Sequence, residues 1–103
     1  MKKTNISEAE FKHGTYGSKY LFSGKNFSGG YAMLTPGAKI EEHLHDDENE
    51  VFYFLEGEPL FKVNGEPARV RPGDGITVGA GERHSVENDT DSEVKMVFVK
   101  IKG

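Results

Sequence analysis

The chain has 103 residues, which is the size of one small domain. Its net charge is −4 and it has no run of lysine or arginine longer than Lys2-Lys3, which argues against nucleic-acid binding. No apolar stretch approaches the ~18 residues of a membrane span. Without cysteine, any bound metal needs nitrogen and oxygen ligands. The basic N-terminus has no apolar segment behind it, so we expect no signal peptide, a cytoplasmic location, and no membrane or nucleic-acid partner.

The chain begins with a polar segment and continues as short apolar runs separated by turn residues. We interpret residues 1–15 as an arm or edge strand with at most one helical turn, and residues 16–103 as a single domain. Asn64-Gly65 predicts a tight hairpin. The runs are rich in β-branched and aromatic residues and predict an all-β sandwich or barrel. They comprise residues 19–22, 30–34, 51–57, 60–63, 68–70, 76–78, 84–88 and 94–101.

Two of these predicted strands, residues 51–55 and 95–101, are apolar on both alternations rather than on one. Both faces of such strands need a cover. A second sheet or the N-terminal arm could supply it, and so could a second copy of the chain. Since a domain this small buries a modest core, a homodimer is expected.

Three of the four histidines form a pattern that suits metal binding. His43 and His45 are two residues apart, so in an extended chain both imidazoles project to the same face. Glu50 opens the next strand and His84 belongs to another. Three imidazoles and a carboxylate suit one divalent ion such as Fe, Mn, Ni, Cu or Zn and leave positions for water or substrate. The fourth, His13, is interpreted as a surface residue.

The spacing around these residues resembles the first motif of the cupin superfamily. That motif is a glycine, five residues, His-x-His, three or four residues, Glu, six residues and a glycine. Gly37, His43, His45, Glu50 and Gly57 fill it here.

The second cupin motif follows downstream. Gly73, Gly81, His84 and Asn88 match it, whereas Gly79 stands where the family usually has proline. Glycine also makes tight turns, so we expect a looser loop at this point and an intact site.

The cupin resemblance implies a jelly-roll barrel (double-stranded β-helix) of two antiparallel sheets, commonly dimeric, with a divalent metal at its mouth. By position it assigns the metal ligands to His43, His45, Glu50 and His84. Glu48 shares the face of Glu50 but breaks the motif count, and it stays as an alternative ligand.

Alternation from the predicted ligands orients their neighbours. Alternation from Glu50 predicts that Phe52 and Phe54 face inward, and alternation from His43 predicts the same for Glu41. Counting from His84 likewise turns Val86 and Asn88 inward.

Other apolar residues are candidates for the pocket wall, although no anchor fixes the alternation of their strands. They are Tyr31, Met33, Met96 and Phe98. For these and for the two phenylalanines, ordinary barrel core is the alternative to substrate contact. An apolar pocket would suit a small, partly hydrophobic organic ligand.

Two classes of function fit this pattern. The first is a metal-dependent enzyme of dioxygenase or isomerase/lyase type that acts on a small molecule, in which Glu50, once off the metal, could serve as a base. The second is a cupin that binds or senses a metal or metabolite without turnover. The chain shows no DNA-binding segment of the kind that regulators carry, which favours an enzyme.

Overall fold

The computed structural model describes all 103 residues and contains nine β-strands and one 3₁₀ turn, Ile6–Glu8. No helix has the length and apolarity that crossing a membrane would require. The strands are β1 Gly17–Ser23, β2 Phe27–Leu34, β3 Lys39–His43, β4 Glu48–Glu56, β5 Leu60–Val63, β6 Glu66–Arg69, β7 Gly75–Val78, β8 His84–Glu87 and β9 Val94–Lys102.

The strands form two antiparallel sheets. One has the order β1-β2-β9-β4-β7 and the other the order β3-β8-β5-β6. Eleven buried apolar side chains form one core cluster, to which strands of both sheets contribute. The all-β prediction of a jelly-roll barrel with two antiparallel sheets is confirmed.

Strand β4 shows how the core leads to the candidate site. Phe52 and Phe54 are buried, and Glu50 continues the same inward row with only 4% exposure. Tyr53, on the other alternation, is 50% exposed. The period of two along a strand therefore places a carboxylate at the end of an aromatic core row.

The turn between β5 and β6 has the geometry that its sequence predicts. Asn64 and Gly65 both have positive φ, 51° and 81°. A two-residue turn with both φ values positive is the type I′ turn that fits the twist of a hairpin. The adjoining residues Val63 and Glu66 are paired across it.

A β-bulge interrupts β3 just before His43, the first predicted ligand. Ile40 pairs with Val86 and His43 pairs with His84, so three steps along β3 match two along β8. The extra residue lets both Ile40 and His43 face inward. The inward orientation predicted for Glu41 is wrong, since its side chain is 79% exposed.

The N-terminal arm covers only part of the five-stranded sheet. Phe11 packs on Tyr31 with ring centroids 6.4 Å apart, on the outer face of β2. Farther across the same sheet, Tyr53 and Ile101 stay exposed. The arm therefore leaves part of the outer apolar face uncovered.

Candidate metal centre

The four predicted ligands converge from four places in the chain. His43 ends β3, His45 follows in the next loop, Glu50 lies in β4 and His84 begins β8. One ligand atom from each lies within 4.8 Å of all the others. Glu50 Oε1 is 3.0 Å from His84 Nε2 and 3.5 Å from His45 Nε2. The cluster joins the two sheets at one end of the barrel.

Backbone carbonyls orient two of the imidazoles. His43 Nδ1 lies 2.8 Å from the Glu41 carbonyl oxygen, and His84 Nδ1 lies 3.2 Å from that of Glu82. A carbonyl can only accept, so in both rings Nδ1 carries the hydrogen and donates it. In the neutral ring, the Nε2 lone pair is then free for a cation, which is the usual arrangement of metal-ligating histidines.

Two further observations indicate that the cluster suits a first-row metal ion. His45 Nε2 is buried and has no hydrogen-bond partner. The neutral His84 ring presents a lone pair to a carboxylate oxygen 3.0 Å away, a contact that needs a proton or a cation. Two ligand atoms each ~2.1 Å from one ion are about 3.0–3.4 Å apart at octahedral or tetrahedral angles. The distances from Glu50 Oε1 to His84 and His45, 3.0 and 3.5 Å, are close to this range.

Protons and a metal ion compete for this cluster. Burial lowers the pKa of His43 below its ordinary value. Burial acts in the same direction on His84, but hydrogen bonds with the Glu50 carboxylate and the Glu82 carbonyl outweigh it, and the pKa of His84 is raised. In protonated His84, the lone pair of Nε2 is bonded to a hydrogen, and a metal ion would have to replace that hydrogen.

Glu48, the alternative ligand, lies outside the cluster. Its Oε1 is 3.7 Å from Nδ1 of His45, the ring nitrogen opposite the one that faces Glu50. The distance is too long for a hydrogen bond. Glu48 is therefore a neighbour of the His45 ring, and Glu50 is the carboxylate that shares the cluster.

The loop before His84 is held in place by hydrogen bonds. The Gly79 N–H donates to Glu82 Oε1 at 2.7 Å, the Ala80 N–H donates to Asn49 Oδ1 at 3.0 Å, and the Gly81 N–H donates to the His45 carbonyl at 2.7 Å. The looser loop that we expected is not seen. Proline has no N–H, so glycine at this motif position permits a bond that proline would remove.

A cavity of about 800 Å³ adjoins the histidine cluster. Of the predicted pocket residues, Phe52 and Phe98 line it. Phe54 and Met96 are fully buried in the core and do not line it, so for them the ordinary-core alternative applies. The rings of Phe52 and Phe61 also pack around His84, at centroid distances of 6.0 and 6.3 Å.

The structure corrects two of the predicted wall residues. Tyr31 and Met33 lie on the outer alternation of β2, because Ala32 and Leu34, which are 2% and 0% exposed, take the inner one. The sequence around this strand has apolar residues on both alternations. Without a ligand or motif residue in β2, nothing in the pattern identified the inner face.

Several cavity residues were missed by the sequence analysis. Tyr20 and Lys100 line the wall, and Lys12, His13 and Tyr16 contribute from the N-terminal side. His13, interpreted as a surface residue, is exposed but stacks on Tyr16 with ring centroids 5.0 Å apart at the cavity. Lys100 follows Phe98 by two residues in β9, but nothing in the sequence fixed which alternation of this strand faces inward.

The two-sheet antiparallel barrel and its His₃Glu cluster define the class of protein. A family model described as a cupin domain matches residues 30–100. The chain belongs to the cupin family.

Two relatives and one solved structure illustrate what the chain is similar to. The chain is 35% identical to the oxalate-binding protein of Thermotoga maritima, over 66% of this chain and 56% of that protein. It is 32% identical to quercetin 2,3-dioxygenase of Bacillus subtilis, over 77% of this chain and 24% of that one. It thus spans about half or less of these relatives. The structure of TT1209 from Thermus thermophilus superposes with a TM-score of 0.84 at 25% identity, covering 99% of this chain and 98% of that chain.

Proposed function

We propose that this cupin is a metal-dependent enzyme that acts on a small organic substrate, of dioxygenase or isomerase/lyase type. The observation that carries the proposal is the convergence of His43, His45, Glu50 and His84 beside a cavity of about 800 Å³. A cavity of this size accommodates a small organic molecule. The similarity to a quercetin dioxygenase supports an oxidative reaction.

The chain itself would supply binding, orientation and proton transfer. The three imidazoles and Glu50 would hold one divalent transition ion, which when bound polarises substrate oxygens or activates dioxygen. Phe52 and Phe98 give the cavity an apolar wall that contacts the substrate body and excludes water. Both contacts of the Glu50 carboxylate to the histidines use Oε1. No hydrogen bond within the chain uses Oε2, so this oxygen can accept a substrate proton.

A second candidate is a protein that binds a metal or metabolite without turnover. The 35% identity to a protein named for oxalate binding favours it. The same donors and cavity would serve this role, because fold and ligand set do not distinguish binding from turnover.

Oxygen consumption by the Fe(II)-loaded protein tests the proposal. Catechols, thiols and keto acids are supplied in turn, and we expect uptake with one class. Glu50→Gln is expected to abolish uptake, while Glu48→Gln, a matched removal of a nearby carboxylate, retains it. If no oxygen is consumed, isomerisation or cleavage of one of these compounds, followed by NMR, still supports an enzyme. Ligand binding by calorimetry without any chemical change favours the second candidate.

We further propose that the chain forms a homodimer through the outer face of its five-stranded sheet. Large apolar side chains on that face are 41–50% exposed: Phe22, Phe27, Tyr53 and Ile101. Phe27 and Ile101 are register partners, so they form one continuous row across β2 and β9. Contiguous apolar surface of this kind marks interfaces, and a second copy offers the same face.

The cytoplasmic location stays a prediction.

A further inference from the structure

Lys100 is a cation on the inner wall of the cavity. It follows Met96 and Phe98 on the inward alternation of β9 and is partly buried. Its register partner on β4 is Glu50, the carboxylate of the metal cluster. The ammonium group therefore lies at the same end of the barrel as the histidines.

Lys100 does not form an ion pair with Glu50. Opposite residues of paired strands have Cβ atoms only ~5 Å apart, so such a pair would be within easy reach. Instead Glu50 contacts His45 and His84. No carboxylate lies within 4.0 Å of Lys100 Nζ, whose one hydrogen bond goes to the Tyr20 hydroxyl at 2.7 Å. Two of the three ammonium hydrogens have no partner in the chain.

The acidic groups at the cavity rim have other cationic neighbours. Glu41 lies 3.6 Å from Lys39, and Glu42 lies 3.9 Å from Arg83. The rim carboxylates are thus offset locally. Lys100 is left as a positive charge on the cavity wall, where an anionic ligand group would be a favourable partner.

Aromatic rings flank this charge. Tyr20 packs edge-to-face on Phe98 with centroids 5.2 Å apart, and Lys100 Nζ is 5.4 Å from the Tyr20 ring centre. Phe52 contributes to the same cavity. A ligand that matches this wall has an apolar planar body and one negatively charged oxygen.

We propose that Lys100 binds the carboxylate of the substrate and that Tyr20 positions Lys100, so that the protein selects small aromatic carboxylates. A carboxylate fits because it is fully charged near pH 7, whereas a phenol with a pKa near 10 is neutral there. The inference deepens the proposed function and rests on the same cavity. Lys100 determines specificity, and Tyr20 acts through it.

Calorimetric titration with a matched pair of probes tests this assignment. The zinc-loaded protein is titrated with 2-naphthoate and with neutral 2-naphthamide, and the zinc content of every variant is measured. Lys100→Met should bind naphthoate about tenfold or more weakly than the wild type, with little change for the amide, because it loses a charge-assisted hydrogen bond. Tyr20→Phe should lose part of the naphthoate affinity only. Lys62→Met, on an exposed position of β5, removes the same charge and should bind like the wild type.

Two results would overturn the assignment. One is equal naphthoate affinity in the wild type and Lys100→Met, and the other is a wild type that binds the acid no better than the amide. If the wild type fails to take up zinc, the proposed metal centre is wrong. The same titrations on the metal-free protein then still decide the role of Lys100.

Discussion

Asn88, the last residue of the second cupin motif, is predicted to stabilise the fold without binding metal. It is fully buried, and its Nδ2 donates to the carbonyls of Leu34 at 3.0 Å and Ser92 at 2.8 Å. Its Oδ1 accepts from the backbone N–H and the hydroxyl of Thr90. The side chain thus ties the end of β8 to β2 and orders the loop that follows. It is not a member of the His₃Glu cluster.

The loss of folding stability on replacing this side chain can be estimated. Asn88→Ala removes four hydrogen bonds and leaves the buried Leu34 carbonyl without its amide donor. At about 1 kcal/mol net per bond, with Thr90 free to find water, we expect the free energy of unfolding to fall by about 2–4 kcal/mol. For a domain of this size, each kcal/mol lowers Tm by ~4–8 °C, so the expected decrease is roughly 8–32 °C.

Thermal and urea denaturation measure this change, and metal analysis of the folded protein accompanies them. Asn49→Ala is the control, since the Asn49 side chain accepts one hydrogen bond, from the Ala80 N–H at an exposed position, and its loss should cost about 1 kcal/mol or less. Folded Asn88→Ala should bind metal in the same proportion as the wild type. A variant of unchanged stability that has lost its metal would refute the structural role.

The loop at Gly79, the candidate metal centre and the outer sheet face each give one further prediction. Gly79→Pro removes the N–H that donates to Glu82, so the free energy of unfolding measured in urea should fall by about 1–2 kcal/mol or more. Unchanged stability would contradict the stabilising role of this hydrogen bond. Zinc affinity should rise with pH, because zinc must displace the proton of His84, whose pKa is raised; calorimetry showing equal affinity at pH 5.5 and 8 would contradict proton competition. Tyr53→Glu should convert the dimer to monomer in sedimentation velocity, and a wild-type monomer at high concentration would exclude the proposed interface.

Much of the fold and the ligand cluster could be predicted from the sequence because the signals are local. The Asn64-Gly65 turn, the strand-length apolar runs and the His-x-His spacing each depend on a few neighbouring residues. Alternation from Glu50 correctly placed Phe52 and Phe54 inside, since β4 is regular between these positions.

The rest depends on contacts between distant strands. The bulge in β3 offsets the alternation, so Ile40 faces inward and Glu41 does not, and only the pairing with β8 reveals it. The inner face of β2 is likewise set by its neighbours in the sheet. The place of Lys100 is not evident from the sequence either, because it depends on the cavity that Lys100 shares with Tyr20.

The proposed function requires that His43, His45, Glu50 and His84 hold a single metal ion. Metal analysis by mass spectrometry on the purified protein tests it most directly, together with His45→Ala, His84→Ala and the control His13→Ala, which removes an imidazole outside the cluster. We predict close to one transition-metal ion per chain in the wild type and in the control, and loss of most of it in the other two variants. Full occupancy in both cluster variants would contradict the assignment.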